Sequence, residues 1–439
     1  MSGGFNTETD VAVVGAGVAG LAAAREIQKT GLRVAVFEAR DRIGGRIFTH
    51  RDPRVPLPVE LGAEFVHGDA PETERVLKEA GSFVYDFRGE SWTARSGRIR
   101  RFNSFWTRID RVLGLIDPER KTDEPFADFL ARQPGGRSLA RDRTLARQFV
   151  QGFHAADLRQ VSTKSLVGSN EGAERSGRTA AGYDLIPEML ARDLEGVLHL
   201  QTLVTDIEWE RGQAELTLRR GSGEATERVT ARAVVLTLPL GVLQAPPGKL
   251  GAVRLRPDPT QIRRALNELA VGSALRLPVW FEELPWEGKR DLSRLAFLHT
   301  GDPTFHVWWS AYPARIPLAT AWAGGPPAAE LSRLSRSEIE AKALRSLAEH
   351  LGVPRRRVES RIVDLWLHDW EGDPFSRGAY SYAKAGGSDA ARRLSRPVEG
   401  TLFFAGEATD ATGHNGTVEG ALATGLRAAR QVIRVLGIS

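Results

Sequence analysis

Three glycines, Gly15, Gly17 and Gly20, follow the first apolar run of the chain. In this spacing the first glycine allows a tight turn, the second lets the backbone approach a bound group, and the third lets a helix pack close to a strand. The N–H groups at the start of that helix would then face an anion. Glu38 follows Gly20 by 18 residues. This is close to the spacing of about 20 residues that is expected of a carboxylate that accepts a ribose hydroxyl. These four residues predict a site for the pyrophosphate and ribose of a dinucleotide.

The elements around the glycines have the order that such a site needs. Residues 10–15 form an apolar run typical of a buried strand, and residues 18–30 are rich in alanine and leucine, as in a helix. Residues 33–38 form a second apolar strand that ends in an acid. The sequence therefore predicts a strand–helix–strand unit around the motif. The motif alone does not distinguish FAD from NAD.

The remainder of the chain alternates between helical and strand patterns. Helices are predicted at 71–80, at several places within 100–195, at 336–351 and at 418–436. Strands are predicted at 203–220 (a strand or hairpin), at 231–238, at 401–406 and in an aromatic stretch from about 270 to 325.

Composition excludes several classes of function. The 60 Lys and Arg residues nearly balance the 55 Asp and Glu residues, and the longest basic runs, such as 355–357, are short, so no nucleic-acid partner is expected. No apolar stretch approaches the roughly 18 residues of a membrane helix, and the first residues lack a signal pattern, so we expect a cytoplasmic protein without a membrane contact. Cysteine is absent, and no cluster has metal-ligand spacing, so no metal is expected.

Five further blocks of sequence carry a family resemblance. They are EARDRIGGR (38–46), LGAEFVHG (61–68), VLTLPLGVL (235–243), WEGDPFSRGAYSY (370–382), and LFFAGEAT (402–409) with GTVEGA (416–421). In this order they resemble the flavin amine oxidase superfamily, which includes monoamine oxidases, polyamine oxidases, lysine-specific histone demethylases and many L-amino acid oxidases. The chain is identified as a bacterial-type member, closest in its motifs to the polyamine oxidase and histone demethylase branch.

The resemblance implies an α/β fold with two interleaved domains. A Rossmann-like FAD-binding domain, of the glutathione-reductase and amine oxidase type, would consist of residues 8–75, 190–270 and 395–439. An α+β substrate domain, a mixed sheet with helices, would consist of residues 76–189, which contain a helical insertion, and 271–394.

The resemblance also implies the reaction. A primary or secondary amine (a polyamine, a monoamine or an amino acid) would be oxidised to an imine by hydride transfer to flavin N5, with O2 as the acceptor that yields H2O2. Ala379 matches the position of the flavin-linking cysteine in monoamine oxidases, so the FAD is expected to be non-covalent. The partners would be a small-molecule amine and O2, and the protein would be a monomer or homodimer.

Most of the implied cofactor contacts lie within the five blocks. The full set of implied cofactor contacts, inside and outside the blocks, is Gly15, Gly17, Gly20, Glu38, Ala39, Arg40, Gly45, Arg46, Gly62, Ala63, Glu64, Phe65, Val204, Trp370, Gly406, Glu407, Thr417 and Val418. Arg40 and Arg46 would supply charge for the diphosphate, and Glu407 would bind the ribityl chain. The helix that starts at Val418 would stabilise negative charge on the N1–O2 edge of the reduced ring.

Four residues are the implied catalytic set. Tyr380 would form an aromatic wall that holds an amine over the flavin, and Thr417 stands where monoamine oxidases have the second tyrosine. His67 matches a histidine near the substrate of animal polyamine oxidases, where it would sense or exchange a proton. Arg276 departs from the family, which usually has a lysine that holds a water near N5. Arginine is larger and offers a rigid fork of donors, so the electron acceptor and amine oxidation itself stay open.

Two alternatives remain. The same fold would suit a desaturase or dehydrogenase that acts on an apolar substrate, for which a wide apolar pocket without an acidic group near the flavin would be evidence. The other alternative is a flavin-binding protein with little catalysis that serves as a sensor or partner module. The arginine at position 276 is the observation that motivates it.

Overall fold

The computed structural model describes residues 7–167, 176–221, 223, 225–288 and 292–437. The strands of these residues, in chain order, are β1 (Glu8–Val14), β2 (Val34–Phe37), β3 (Thr49–His50), β4 (Val59–Glu60), β5 (Phe65–His67), β6 (Val84–Asp86), β7 (Glu90–Arg95), β8 (Arg98–Arg101), β9 (Ser176–Thr179), β10 (Leu198–His199), β11 (Thr202–Glu210), β12 (Gln213–Arg220), β13 (Thr226–Leu236), β14 (Arg254–Arg256), β15 (Leu269–Gly272), β16 (Ala274–Phe281), β17 (Leu295–Thr300), β18 (Val307–Ser310), β19 (Leu318–Gly324), β20 (Ile362–Leu365), β21 (Tyr380–Ala383) and β22 (Leu402–Phe404).

The α-helices of the same residues are α1 (Val18–Gln28), α2 (Pro71–Glu79), α3 (Phe105–Leu113), α4 (Phe126–Ala131), α5 (Ala140–Phe153), α6 (Leu185–Ala191), α7 (Leu240–Leu243), α8 (Thr260–Asn267), α9 (Pro326–Leu331), α10 (Arg336–Leu351), α11 (Arg355–Glu359), α12 (Ala390–Leu394) and α13 (Val418–Val435). Within this part of the chain no helix is long and apolar enough to cross a membrane.

The larger sheet has eight strands in the order β10-β2-β1-β13-β12-β11-β14, with β22 paired to β13. Strands β10, β2, β1, β13 and β22 run parallel, whereas β12 is antiparallel to both β11 and β13. Val11 and Val13 pack into the cluster that contains α1 and α13, and Ala12 and Val14 pack into the cluster on the other face. Because both faces are covered, β1 is apolar at every position from Val11 to Val14 rather than alternating.

The second sheet has seven strands in the order β20-β16-β19-β18-β17-β7-β8. Leu298, Trp308 and Ala321 share one face and pack on the helix α10 side. Phe297 and Trp309 are a register pair on the opposite face, which faces a cavity. The two-residue period of a strand therefore divides this sheet into a core face and a site face.

Helix α10 begins and ends where the sequence predicts. The Ser335 side chain accepts a hydrogen bond from the Glu338 amide while the Glu338 side chain accepts one from the Ser335 amide, which forms a capping box. Gly352 follows the helix in the left-handed conformation, with φ of 67°.

The stretch 100–195 contains helices α3 to α6, as predicted, but also strand β9, which was not predicted. Strand β9 pairs with β5 and β6 in a three-stranded sheet. Its sequence, SGRT, has no alternating apolar pattern, so its pairing depends on strands remote in the chain. The strands of the larger sheet come from residues 8–37, 198–256 and 402–404; the predicted domain boundaries stay a prediction.

Candidate active site

A cavity of about 1020 Å³ extends from the start of helix α1 to the site face of the second sheet. Every residue of the predicted cofactor and catalytic sets lines this cavity except Gly20. The lining members are Gly15, Gly17, Glu38, Ala39, Arg40, Gly45, Arg46, Gly62, Ala63, Glu64, Phe65, His67, Val204, Arg276, Trp370, Tyr380, Gly406, Glu407, Thr417 and Val418. Their individual contacts with FAD or substrate stay predictions.

The glycine loop has the backbone that its sequence predicts. Gly15 has a φ of 105°, which side chains other than glycine rarely adopt. A Cβ at Gly17 would meet no protein atom within 4 Å, whereas a Cβ at Gly20 would lie 2.0 Å from the Gly15 carbonyl oxygen. Gly20 therefore serves the contact between helix and strand, and Gly17 keeps the backbone open to the cavity.

The glycine end of the cavity fits the dinucleotide part of FAD. Gly17 is the N-cap of helix α1 and offers no capping side chain, so the first N–H groups of the helix are available to an anion in the cavity. The two carboxylate oxygens of Glu38 accept hydrogen bonds from the amides of Ala16 at 2.8 Å and Arg40 at 2.9 Å. These bonds fix the carboxylate at the end of β2, where a ribose is expected.

Arg40 and Arg46 are both engaged with the protein. Arg40 donates to Asp373 and Ser376, each at 2.8 Å. Arg46 donates to the carbonyl of Ala379 at 2.6 Å and to Glu407 at 2.8 Å. Each guanidinium is thus held in place by a carboxylate, which reduces the net positive charge available to a diphosphate.

Glu407 is a buried junction between segments that are distant in sequence. One oxygen accepts from Arg46, and the other accepts from the Ser381 hydroxyl at 2.7 Å and the Gly416 amide at 3.0 Å. Next to it, Thr417 caps helix α13 by accepting from the Gly420 amide at 3.0 Å. The first turn of α13 therefore faces the cavity, at Thr417 and Val418.

Arg276 is 5% exposed and lies in a buried ion-pair network. It donates to the Gly62 carbonyl at 2.6 Å and to the Glu64 carboxylate. The same carboxylate accepts from Arg178 at 2.7 Å and from the Trp309 indole at 3.0 Å. Burial opposes the charge of Glu64, but Arg178 and Arg276 outweigh burial and hold its pKa below the usual value.

Tyr380 and His67 both contact Phe153, the last residue of helix α5. The Tyr380 hydroxyl donates to the Phe153 carbonyl at 2.6 Å, which fixes the position of the hydroxyl end of the side chain. The His67 ring packs edge-on against the Phe153 ring at 5.1 Å, and its Nδ1 lies 3.0 Å from the Ser176 hydroxyl. Burial lowers the pKa of His67 to about 4, so this imidazole is neutral at neutral pH.

Trp370 is nearly fully buried, and its position is fixed by one hydrogen bond. Its indole N–H donates to the Leu61 carbonyl at 2.8 Å, and its ring lies edge-on to His368 at 4.2 Å. The indole therefore connects the 370–382 block to the 61–68 block at the wall of the cavity.

The predicted set included only Phe65 and His67 from a group of aromatic residues that line the cavity beyond Tyr380. We call this region the aromatic arm; it is lined by Phe65, His67, Phe105, Phe149, Phe153, Phe297 and His299. Phe149 and Phe153 are four residues apart on α5, a spacing that indicates a core helix as readily as a pocket. Arg178 was also missed, because its segment has no pattern that indicates a buried ion pair.

No group of three His, Cys, Asp or Glu residues suited to a metal ion occurs in the described part of the chain.

Known proteins match the chain over most of its length. A family model described as flavin containing amine oxidoreductase matches residues 18–433. Polyamine oxidase 5 of Oryza sativa subsp. japonica is 26% identical over 470 residues, covering 98% of this chain and 89% of that protein. Lysine-specific histone demethylase 1 homolog 3 of Arabidopsis thaliana is 28% identical over 505 residues, covering 98% of this chain but only 30% of that longer protein.

Solved structures confirm the predicted fold. A putrescine oxidase bound to putrescine superposes with a TM-score of 0.79 at 24% identity, covering 97% of this chain and 99% of the other. Cyclohexylamine oxidase from Brevibacterium oxydans superposes with a TM-score of 0.76 at 20% identity, covering 98% and 99%. At these identities the likeness concerns the fold alone.

Proposed function

The chain belongs to the flavin-containing amine oxidoreductase family, and from this premise we propose that it oxidises a primary or secondary amine to the imine with non-covalent FAD. Dioxygen is the proposed final electron acceptor, with hydrogen peroxide as the second product. The observation that carries the proposal is the continuity of one cavity from the uncapped start of helix α1 to Tyr380 and the aromatic arm.

FAD would supply the hydride acceptor, and the protein would supply binding and orientation. Gly15, Gly17 and the first turn of α1 would hold the pyrophosphate, and Glu38 would hold the ribose. Thr417 and Val418 would place the positive end of helix α13 beside the ring.

The residues of the aromatic arm would position the amine and exclude water. Tyr380 is anchored by its bond to the Phe153 carbonyl, and a ring face attracts an ammonium group. His67 is neutral at neutral pH, so it would position the amine by a hydrogen bond rather than repel it as a cation. Arg276, bound to Gly62 and Glu64, would contribute a fixed charge at the wall of the site.

The non-covalent state of FAD has a direct test. Ala379 stands at the position of the flavin-linking cysteine of monoamine oxidases, and the chain has no cysteine. After acid precipitation of the purified protein, the yellow chromophore should remain in the supernatant. Flavin that stays with the pellet would contradict this part of the proposal.

The activity is tested by an anaerobic titration of the purified yellow protein with a panel of monoamines, polyamines and amino acids. The flavin absorption band should bleach with at least one class of amine and return when air is admitted. A slow return of the flavin band in air would indicate that an electron acceptor other than O2 reoxidises the flavin. The absence of bleaching by every amine would overturn the proposed oxidation of amines.

A second candidate is the oxidation of an apolar substrate by the same fold. The aromatic arm favours it, because Glu64, the acidic residue that binds Arg276, is engaged by two arginines. Bleaching of the flavin by an apolar substrate that has no amino group, with none by any amine, would favour this candidate.

A further inference from the structure

Helix α5 ends at the wall of the cavity. Its last two residues, Gly152 and Phe153, and its C-cap residue, His154, all line the cavity. Ala155 follows in the left-handed region with a φ of 50°, so the chain leaves the helix at once. Among the described residues, no backbone amide donates to the carbonyls of Gln151, Gly152 or Phe153. The carbonyls at this helix end are therefore left to side chains and ligands.

Two side chains that line the cavity hold these carbonyls in place. The Trp322 indole donates to the Gly152 carbonyl at 3.0 Å, and the Tyr380 hydroxyl donates to the Phe153 carbonyl at 2.6 Å. Each carbonyl oxygen has a second lone pair that these bonds do not use. A neighbouring strand approaches the same end closely, since a Cβ at Gly324 would lie 2.5 Å from the Gly152 oxygen. The helix end is thus fixed beside Tyr380 and keeps the capacity to accept hydrogen bonds.

The end of α5 is a local negative pole. The aligned peptide dipoles of a helix place about half a negative charge at its C-terminus, and basic residues in the last turn commonly compensate it. The last turn of α5 has no basic residue. The His67 ring, which packs against Phe153, adds no charge, because burial lowers its pKa to about 4. Arg276, the register partner of Trp322, is paired with Glu64.

A further acceptor, Nε2 of His306, lies beside the same helix end. His306 lines the cavity and is 8% exposed, and its Nε2 has no hydrogen-bond partner among the described residues. The ring bonds to the backbone of Asp302 and Pro303, which leaves Nε2 as the acceptor nitrogen of a neutral imidazole. A Cβ at Gly152 would lie 2.8 Å from this nitrogen. A buried acceptor without a donor costs free energy, which a donor from a ligand would recover.

We infer that the C-terminal end of helix α5, together with His306, binds the positively charged amino group of the substrate. This inference rests on the proposed oxidation of amines and identifies the element that recognises the charge. A primary ammonium group has three N–H donors and no acceptor. The carbonyls of Gly152 and Phe153 and the Nε2 of His306 offer three acceptors. The ring face of Tyr380 alone does not offset the loss of water from an ammonium group, whereas the negative helix end and three hydrogen bonds add to its attraction.

Equilibrium binding tests the inference without turnover. The oxidised holoenzyme is titrated in a calorimeter near neutral pH with cumylamine, which has no hydrogen on its α-carbon and is not oxidised. The matched probe is cumyl alcohol, which has a neutral hydroxyl in place of the ammonium group. Cumylamine should bind about tenfold more tightly than cumyl alcohol. Binding of the alcohol that equals or exceeds that of the amine overturns the inference.

Two lysine variants test the helix end itself. Gln151 belongs to the last turn of α5, and the cavity lining does not include it. Gln151→Lys supplies the basic residue that this turn lacks, so it should weaken the binding of cumylamine about threefold and leave that of cumyl alcohol unchanged. Thr144→Lys adds the same charge at an exposed position about two turns earlier and should change neither. Equal effects of the two lysines on cumylamine overturn the inference.

A second pair of variants tests His306. His306→Phe removes the acceptor nitrogen and should weaken the binding of cumylamine about tenfold relative to that of cumyl alcohol. His306→Gln keeps an acceptor on a side chain of similar reach and should restore most of the loss. A loss that affects both probes equally would show a purely structural role and overturn the inference. The FAD content of each variant shows whether the holoenzyme has assembled.

The outcomes separate this inference from the proposed function. Flavin reduction by an amine, combined with variants that affect both probes equally, overturns the inference while amine oxidation stands. Selective binding of cumylamine that is lost in Gln151→Lys and His306→Phe, with no flavin reduction by any amine, supports the inferred recognition and overturns the proposed reaction.

Discussion

Arg276 and Glu64 form a buried ion pair in which the arginine also binds the carbonyl of Gly62, two residues before Glu64. One guanidinium thus holds both the backbone and the side chain of the segment that lines the cavity at its centre. A lysine at this position has a single ammonium group and lacks the planar fork that binds two acceptors. The arginine therefore binds residues 62–64 through both a backbone and a side-chain acceptor.

Arg276→Met should destabilise the holoenzyme by roughly 2–4 kcal/mol, because Glu64 stays buried with Arg178 as its sole cationic partner and the Gly62 carbonyl loses its donor. Arg276→Lys should cost less, because it keeps the charge. The midpoint of urea unfolding measures both effects. Glu64→Gln should cost less in the Arg276→Met background than in the wild type, and an equal cost in both backgrounds would show that the pair contributes nothing.

Gly17→Ala and Gly20→Ala should fail in different ways. The Cβ at position 17 meets no protein atom, so Gly17→Ala should fold normally but bind FAD more weakly. The Cβ at position 20 lies 2.0 Å from the Gly15 carbonyl oxygen, so Gly20→Ala should lower the stability of the apoprotein itself. Thermal unfolding of the apoprotein and fluorescence titration with FAD distinguish the two. Equal stability of both apoproteins would contradict the assignment of Gly20 to helix packing.

Glu60 should make the folded protein less stable as the pH rises. Its carboxylate is buried and accepts from the Tyr183 amide at 2.8 Å and the Thr49 hydroxyl at 2.6 Å. Burial raises its pKa from 4.5 to about 7. Between these values the unfolded chain releases the proton and the folded chain keeps it, so folding stability falls by roughly 3 kcal/mol across the window.

Glu60→Gln removes this titration. The stability of the variant relative to the wild type should increase from about pH 5 to about pH 7 and then stay constant. Urea unfolding at several pH values measures the difference, in which the contributions of other groups cancel. A difference that is independent of pH would show that Glu60 ionises normally.

His67 should not produce a step in the pH profile near neutrality. Because burial lowers its pKa to about 4, the imidazole is neutral throughout the range from about pH 6 to about pH 8. His67→Asn should change the magnitude of kcat/KM but not its dependence on pH in this range. A step in the wild type that is absent from the variant would instead assign a proton-transfer role to His67.

The strand–helix–strand unit of the larger sheet could be predicted because its signals are local. Strand β1, helix α1 and strand β2 follow one another within 30 residues, and their apolar pattern and glycines determine both their type and their order. Helix α10 has both of its capping signals in its own sequence. Strand β9 could not be predicted in this way, because it is stabilised by pairing with β5 and β6 rather than by its own residues.

The cavity lining shows the same difference between residues with local sequence signals and residues placed by long-range contacts. Each of the five sequence blocks contributes residues to the lining of the cavity. The rings of the aromatic arm come from two helices and two strands, and each ring alone has the pattern of an ordinary core residue. The pairing of Glu64 with Arg178 joins residues 114 positions apart, and no spacing rule predicts such a contact.

Strand β13 lies between β1 and β22, so the parallel part of the larger sheet is complete only when residues 402–404 have paired. The cavity that begins at Gly15 is likewise complete only when Thr417 and Val418 are in place. During synthesis β1, α1 and β2 leave the ribosome hundreds of residues before β22, the last strand of the larger sheet. Pairing across such a separation carries a large loop-closure entropy and is slow. The nascent chain therefore exposes the edge of β13 at residues 234–236 until translation is nearly finished, and chaperones that shield strand edges should raise the yield of active protein.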